Sequence, residues 1–129
     1  MDLTCRYAGE IAILDVMGRL IVSAGETEIL PFRSVVDRLI RAGHVLLVLN
    51  VARLMSIDAR GLGELVSTTA KLRSRGGDLM LVTPTARLTK MLSVTRLADV
   101  IDSCDSESEA IHRLGRIVGN ACRVESSAL

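Results

Sequence analysis

The spacing of apolar positions along the chain changes period several times, and each change marks an element. Leu3, Cys5 and Tyr7 alternate with Thr4 and Arg6, and Gly9-Glu10 makes a turn. Ile11 to Met17 then forms a second apolar run closed by Gly18. The pair predicts a hairpin at a sheet edge. From about Gly25 the period becomes helical, with Leu30, Val35, Val36, Leu39 and Ile40 on one side and Pro31 in the first turn. That helix leads through Gly43-His44 into Val45-Leu46-Leu47-Val48-Leu49, an unbroken apolar run that suits a central strand covered on both faces.

A short polar break, read as a loop, separates this strand from Leu62, Leu65, Val66, Thr69 and Leu72, which recur at helical spacing. Asp58 ahead of them is a favourable N-cap, because its carboxylate accepts from amides that have no partner in the first turn. Gly76-Gly77 supplies the left-handed conformation that ends a helix, placing its end near Arg75. Leu79 to Val82 is a second buried strand, interrupted by Thr83-Pro84. A short helix from Pro84 or Thr85 to Leu92, a last short strand at Val100-Ile101 and a helix from about Ser108 to Val118 follow. Strands alternating with helices imply a parallel portion with right-handed crossovers. The expectation is one α/β domain over residues 1–118, a mixed sheet of four to five strands with about four helices packed on it. Residues 119–129 form a C-terminal tail with no firm pattern.

Composition narrows the function. A chain of 129 residues suits one domain. A formal net charge of +1 with interspersed signs, and only one Tyr and one Phe without Trp, offer neither a basic face nor a stacking platform for nucleic acid. No apolar run approaches the ~20 residues needed to span a bilayer. The N-terminus Met1 to Arg6 lacks the apolar core of a signal peptide, so a cytoplasmic location without membrane insertion is expected. Cys5, Cys104 and Cys122 are widely spaced and suit reduced thiols better than a disulfide framework or a zinc site. His44 and His112 are the only histidines, and no nucleophile stands beside a base, so no catalytic residue, metal or cofactor is expected. Gly61-Leu62-Gly63 lacks the lysine and hydroxyl residue of a phosphate-binding loop.

Function is therefore sought at the helix start. In open sheets with parallel strands, sites gather beyond the carboxyl ends of the strands, where helix N-termini expose amides. The Asp58 loop occupies that edge, and Thr83-Pro84-Thr85 is expected on the same edge. Gly61 and Gly63 each cost a helix about 1 kcal/mol relative to alanine. Either close packing on the sheet or close approach of a partner would account for them.

Leu49-Asn50-Val51, Ile57-Asp58-x-x-Gly61-Leu62-Gly63-Glu64-Leu65 and Gly76-Gly77-Asp78-Leu79 together resemble the STAS domain, the fold of anti-sigma factor antagonists. Gly18-Arg19-Leu20 resembles the turn after that family's second strand. Thr89 to Val100 resembles its short helix and the following leucine-x-x-threonine-x-leucine segment. The resemblance covers roughly Leu3 to Leu114. It implies a non-catalytic module that docks an anti-sigma factor or serine kinase-type partner through Ser56, Asp58, Ala59, Arg60, Gly61 and Leu62, with Thr83 and Thr85 as a second portion of the surface.

In the family's regulated members a serine or threonine follows the aspartate and is phosphorylated by the partner kinase, which blocks binding. Here Ala59 and Arg60 follow Asp58, and neither can be esterified. Ser56 is the nearest hydroxyl, either a displaced acceptor or an ordinary loop serine. An accessory subunit of a membrane transport complex and a small-ligand or nucleotide binder are the alternative functions. The oligomeric state is open.

Overall fold

The computed structural model describes residues 2–20 and 30–128, with side chains described over 2–20 and 31–117. Strands β1 (Asp2–Ala8) and β2 (Ile11–Leu20) form the expected antiparallel hairpin at the sheet edge. Helix α1 (Leu30–Arg41) leads to β3 (Leu46–Asn50), β4 (Leu54–Ile57) leads to α2 (Ala59–Arg73), and β5 (Asp78–Val82) leads to α3 (Ala86–Val94). A 3-10 turn at Leu97–Asp99, β6 (Asp102–Cys104) and α4 (Glu107–Ala128) complete the chain. The start of the first helix expected at Gly25 falls outside the described residues.

The sheet runs β1-β2-β3-β5-β6, with β4 paired to the far end of β2. Every pairing except β1 with β2 is parallel. The fold is α/β as expected, but among the described residues the sheet has six strands rather than four to five. The added strand is β4, which occupies part of the polar break taken for a loop. It is only four residues long, and its buried positions are Leu54 and Ile57, a spacing of three that hides the alternation of a strand. β2 also runs past Gly18. That glycine has φ +95°, and the register with β4 shifts between Gly18 and Arg19, a bulge that turns the strand end toward β4.

Period-two alternation distributes the core. Ala12, Leu14, Leu47, Leu49, Leu79 and Leu81 face Phe32 of α1, Leu65 of α2 and Leu88 of α3. Ile11, Ile13, Leu46, Val48, Met80 and Val82 face Ala110 and Leu114 of α4. The apolar runs are continuous because both faces are covered. Each fully buried leucine contributes about 2 kcal/mol.

Two late elements depart from the sequence expectation. Ile101 is buried as a plug among the residues that face α1, α2 and α3, and the strand begins one residue later at Asp102. The apolar pair Val100-Ile101 thus marks packing rather than pairing. The last helix continues to Ala128 instead of ending near Val118. Residues 119–128 contain no proline, and Gly119 costs about 1 kcal/mol without breaking a helix.

Candidate partner-binding site

The α2 N-terminus is built from both ends of the sequence that precedes it. Asn50 Oδ1 accepts from the Ala52 amide at 3.1 Å and tightens the turn after β3. That turn sends β4 alongside the end of β2, and the Asp58 amide donates to the Leu20 carbonyl at 3.4 Å. Asp58 then caps the helix as expected, its Oδ1 accepting from the Gly61 amide at 2.7 Å while its carbonyl accepts from the Leu62 amide at 2.9 Å.

The candidate residues divide by burial. Ala59 and Arg60 are exposed, and Arg60 makes no ion pair among the described residues. Asp58 is half-buried. Gly61 and Leu62 are buried, and Leu62 belongs to the core. Gly61 is where the helix touches the sheet: a Cβ there would lie 2.1 Å from the Leu20 carbonyl oxygen. Gly63 is exposed, with open space around its Cβ position.

Ser56 lies within β4 rather than in a loop, and its Oγ is buried with no hydrogen-bond partner. A hydroxyl in that setting is shielded from a kinase unless β4 separates from its neighbours.

Thr83 and Thr85 follow the carboxyl end of β5, but their bonds run to β6 and α3. The Thr83 amide donates to the Cys104 carbonyl at 3.0 Å, and its Oγ1 donates to the Asp105 carbonyl at 3.2 Å. These bonds hold Thr83 at φ +53°, a left-handed conformation costly for a β-branched residue. Thr83 is exposed; Thr85 is half-buried and caps α3, its Oγ1 accepting from the Leu88 amide at 3.2 Å.

Two features were not visible in the sequence. Met55, an apolar residue on β4 just before the site, is 77% exposed. The only advance signal would have been recognising Asn50 to Arg53 as a turn, which makes 54–57 a strand. The second feature is a polar cluster at the same strand ends on the α4 face. Arg6 donates to both oxygens of Asp15, at 2.8 and 3.0 Å, and to Glu107 Oε2 at 2.6 Å. Asn50 Nδ2 also donates to Glu107 Oε2, at 2.7 Å. Arg6, first, and Asn50, second, hold the Glu107 carboxyl below the usual carboxylate range. The two carboxylates in turn hold the Arg6 guanidinium more firmly protonated. Beside the cluster lies a cleft of about 380 Å³ lined in part by Thr4, Asp15, Asn50 and Arg53. No local pattern could join residues so far apart in the chain.

Other chemistry is sparse. Among the described residues no group of three or more His, Cys, Asp or Glu is placed to hold a metal ion. His44 Nδ1 lies 3.2 Å from the Glu10 carbonyl, and His112 Nε2 lies 3.2 Å from Arg116 on its own helix. Burial raises the Cys104 thiol pKa and makes it less reactive. Among the described residues no helix is long and apolar enough to cross a membrane.

The family model of the STAS domain matches residues 9–110. A protein of Thermotoga neapolitana, named as a candidate anti-sigma factor antagonist, is 31% identical over 80 residues, 62% of this chain and 71% of its own length. The crystal structure of a candidate anti-sigma factor antagonist from Thermotoga maritima superposes with a TM-score of 0.77 at 25% identity, covering 87% of this chain and 93% of that one. The Bacillus cell fate determinant SpoIIAA, in its phosphorylated form, superposes with a TM-score of 0.67, covering 87% of this chain and 98% of that one. At 20% identity this last likeness is one of fold.

Proposed function

This chain belongs to the STAS domain family, of the anti-sigma factor antagonist type, and from that premise we propose that it is a non-catalytic docking module without a phosphorylation switch at its binding surface. The partner is an anti-sigma factor or serine kinase-type protein, and it grips the start of α2. Ala59 and Arg60 form the centre of the contact, with Asp58 setting the helix mouth and Met55 and Thr83 at its margins.

The observation that carries this reading is the exposed first turn of α2, which presents a methyl group and a guanidinium where the regulated members resembled here carry an esterifiable oxygen. A hydroxyl in a first helical turn lies at the positive end of the helix dipole, and a phosphate there would bring up to two negative charges into the contact. Ala59 removes the acceptor. Arg60 fixes a positive charge where the modified form would be negative, and the buried Ser56 Oγ supports the absence of a substitute. The chain is then constantly competent to bind.

Capture from native lysate, followed by mass spectrometry, tests the docking. Arg60→Glu reverses the charge and is expected to weaken capture of the partner about tenfold while leaving the melting temperature unchanged. Equal capture by wild type and variant would place the interface elsewhere. Recovery of a transporter's ATPase subunit in place of a kinase-type protein would instead favour the transport-complex role. Intact-mass measurement after incubation with the captured kinase tests the regulatory half: no mass increase is expected, and a phosphate mapped near Asp58 would overturn it.

A further inference from the structure

Strand β1 ends the sheet, paired with β2 on one side, and among the described residues no strand covers its other edge. An open edge offers a row of backbone donors and acceptors to another strand, and proteins usually blunt it with proline, lysine, a bulge or an inward charge. β1 lacks the first three, and its only charged side chains are Asp2 at its first position and Arg6. It contains neither proline nor lysine, and its register to β2 runs unbroken from Asp2↔Met17 to Ala8↔Ile11. Its one cation, Arg6, is engaged by Asp15 and Glu107 on the α4 side. The opposite edge strand, β6, is only three residues long.

We propose that a second copy of this chain pairs with that edge, β1 antiparallel to β1, about a two-fold axis through Cys5. Cys5 is the middle residue of the strand, so this register uses its whole length. It sets Leu3 opposite Tyr7, Thr4 opposite Arg6, Asp2 opposite Ala8, and Cys5 opposite its own copy. Apolar groups meet apolar ones and no like charges are opposed, the arrangement that stabilises cross-strand pairs. A register centred on Arg6 would oppose two guanidinium groups, and one centred on Thr4 would leave Tyr7 unpaired.

The side chains already lie as this pairing requires. Leu3 packs against the core on the face of α1, and Tyr7 lies against His44 with ring centroids 4.9 Å apart and the rings tilted by 42°. Tyr7 is nonetheless 59% exposed, and Leu3 of the second copy would cover it. Cys5 is exposed on the same face. The surface is distinct from the α2 N-terminus, so its fate and that of the docking proposal are independent.

Sedimentation at rising concentration and thiol trapping test the dimer together. In a Cys122→Ser background, diamide takes two electrons and two protons from the paired Cys5 thiols, becoming the hydrazine and leaving a Cys5–Cys5 disulfide that peptide mass mapping identifies. Cys5→Ser is expected to dimerise without trapping. Cys5→Lys opposes two ammonium groups at the axis and is expected to weaken dimerisation at least tenfold, with an unchanged melting temperature in dilute solution showing that the monomer is intact. A wild type that stays monomeric, cross-links lacking the Cys5 pair, or a Cys5→Lys variant that dimerises as well as wild type would overturn the proposal.

Discussion

Gly61 and Gly63 look alike in the sequence, two glycines in the first turns of one helix, and the same pair of explanations fits each. Packing separates them. Gly61 is the point where α2 rests on the end of β2, and a methyl group there would collide with the Leu20 carbonyl oxygen at 2.1 Å. Gly63, two residues on, points into open space. Gly61→Ala is therefore expected to destabilise the domain by on the order of 3 kcal/mol, because backbone must shift to admit the methyl group. Gly63→Ala is expected to stabilise it by about 1 kcal/mol, the ordinary helix preference for alanine. Urea denaturation of the two variants checks both signs at once. Asp58 was legible outright, since a capping aspartate needs only the helix start after it. Which glycine faces the sheet depends on the rotation of α2 about its axis, and that is set by contacts with residues far earlier in the chain, as Gly61 with Leu20 shows.

At the scale of elements, the strong periodicities were the legible ones. β3, α2 and β5 lie within two residues of their expected positions because long apolar runs and helical spacing leave few alternatives. β4 escaped because its pairing with the end of β2 depends on the bulge at Gly18, and neither partner alone carries a strand pattern. That omission mattered for the site: it placed Ser56 in a loop and hid Met55. α3 shows a similar limit at its C-terminus. Thr95 caps it, and Arg96 follows in the left-handed region at φ +62°, with its amide donating to the Ser93 carbonyl at 3.2 Å. Glycine usually occupies such a position, and nothing in the sequence around Arg96 announced it. Arg96→Gly relieves a cost of about 1 kcal/mol but loosens the unfolded chain. A net gain on the order of 0.5 kcal/mol is expected from chemical denaturation.

At the scale of the whole molecule, one polar cluster ties together what the core layers leave separate. Arg6 of β1, Asp15 of β2, Asn50 of β3 and Glu107 at the start of α4 converge through the bonds described above, so the edge hairpin and the last helix are locked to the sheet centre. Because Arg6 and then Asn50 hold the Glu107 carboxyl below its ordinary value, protonating it is harder in the folded protein than in the unfolded one. Its contribution is thus fully present above the unfolded value and is lost as pH falls through the lower folded one. Arg6 and Glu107 side chains are 46% and 26% exposed, so solvent screens the pair and its contribution is small. Wild type is expected to exceed Glu107→Gln slightly in stability at neutral pH. The advantage should shrink as acid protonates the carboxylate. Urea titrations of the two proteins between neutral and acid pH read this directly. An advantage of wild type that persisted unchanged at the acid end would mean that Glu107 holds α4 through its shape and hydrogen bonds alone, with no share from its charge.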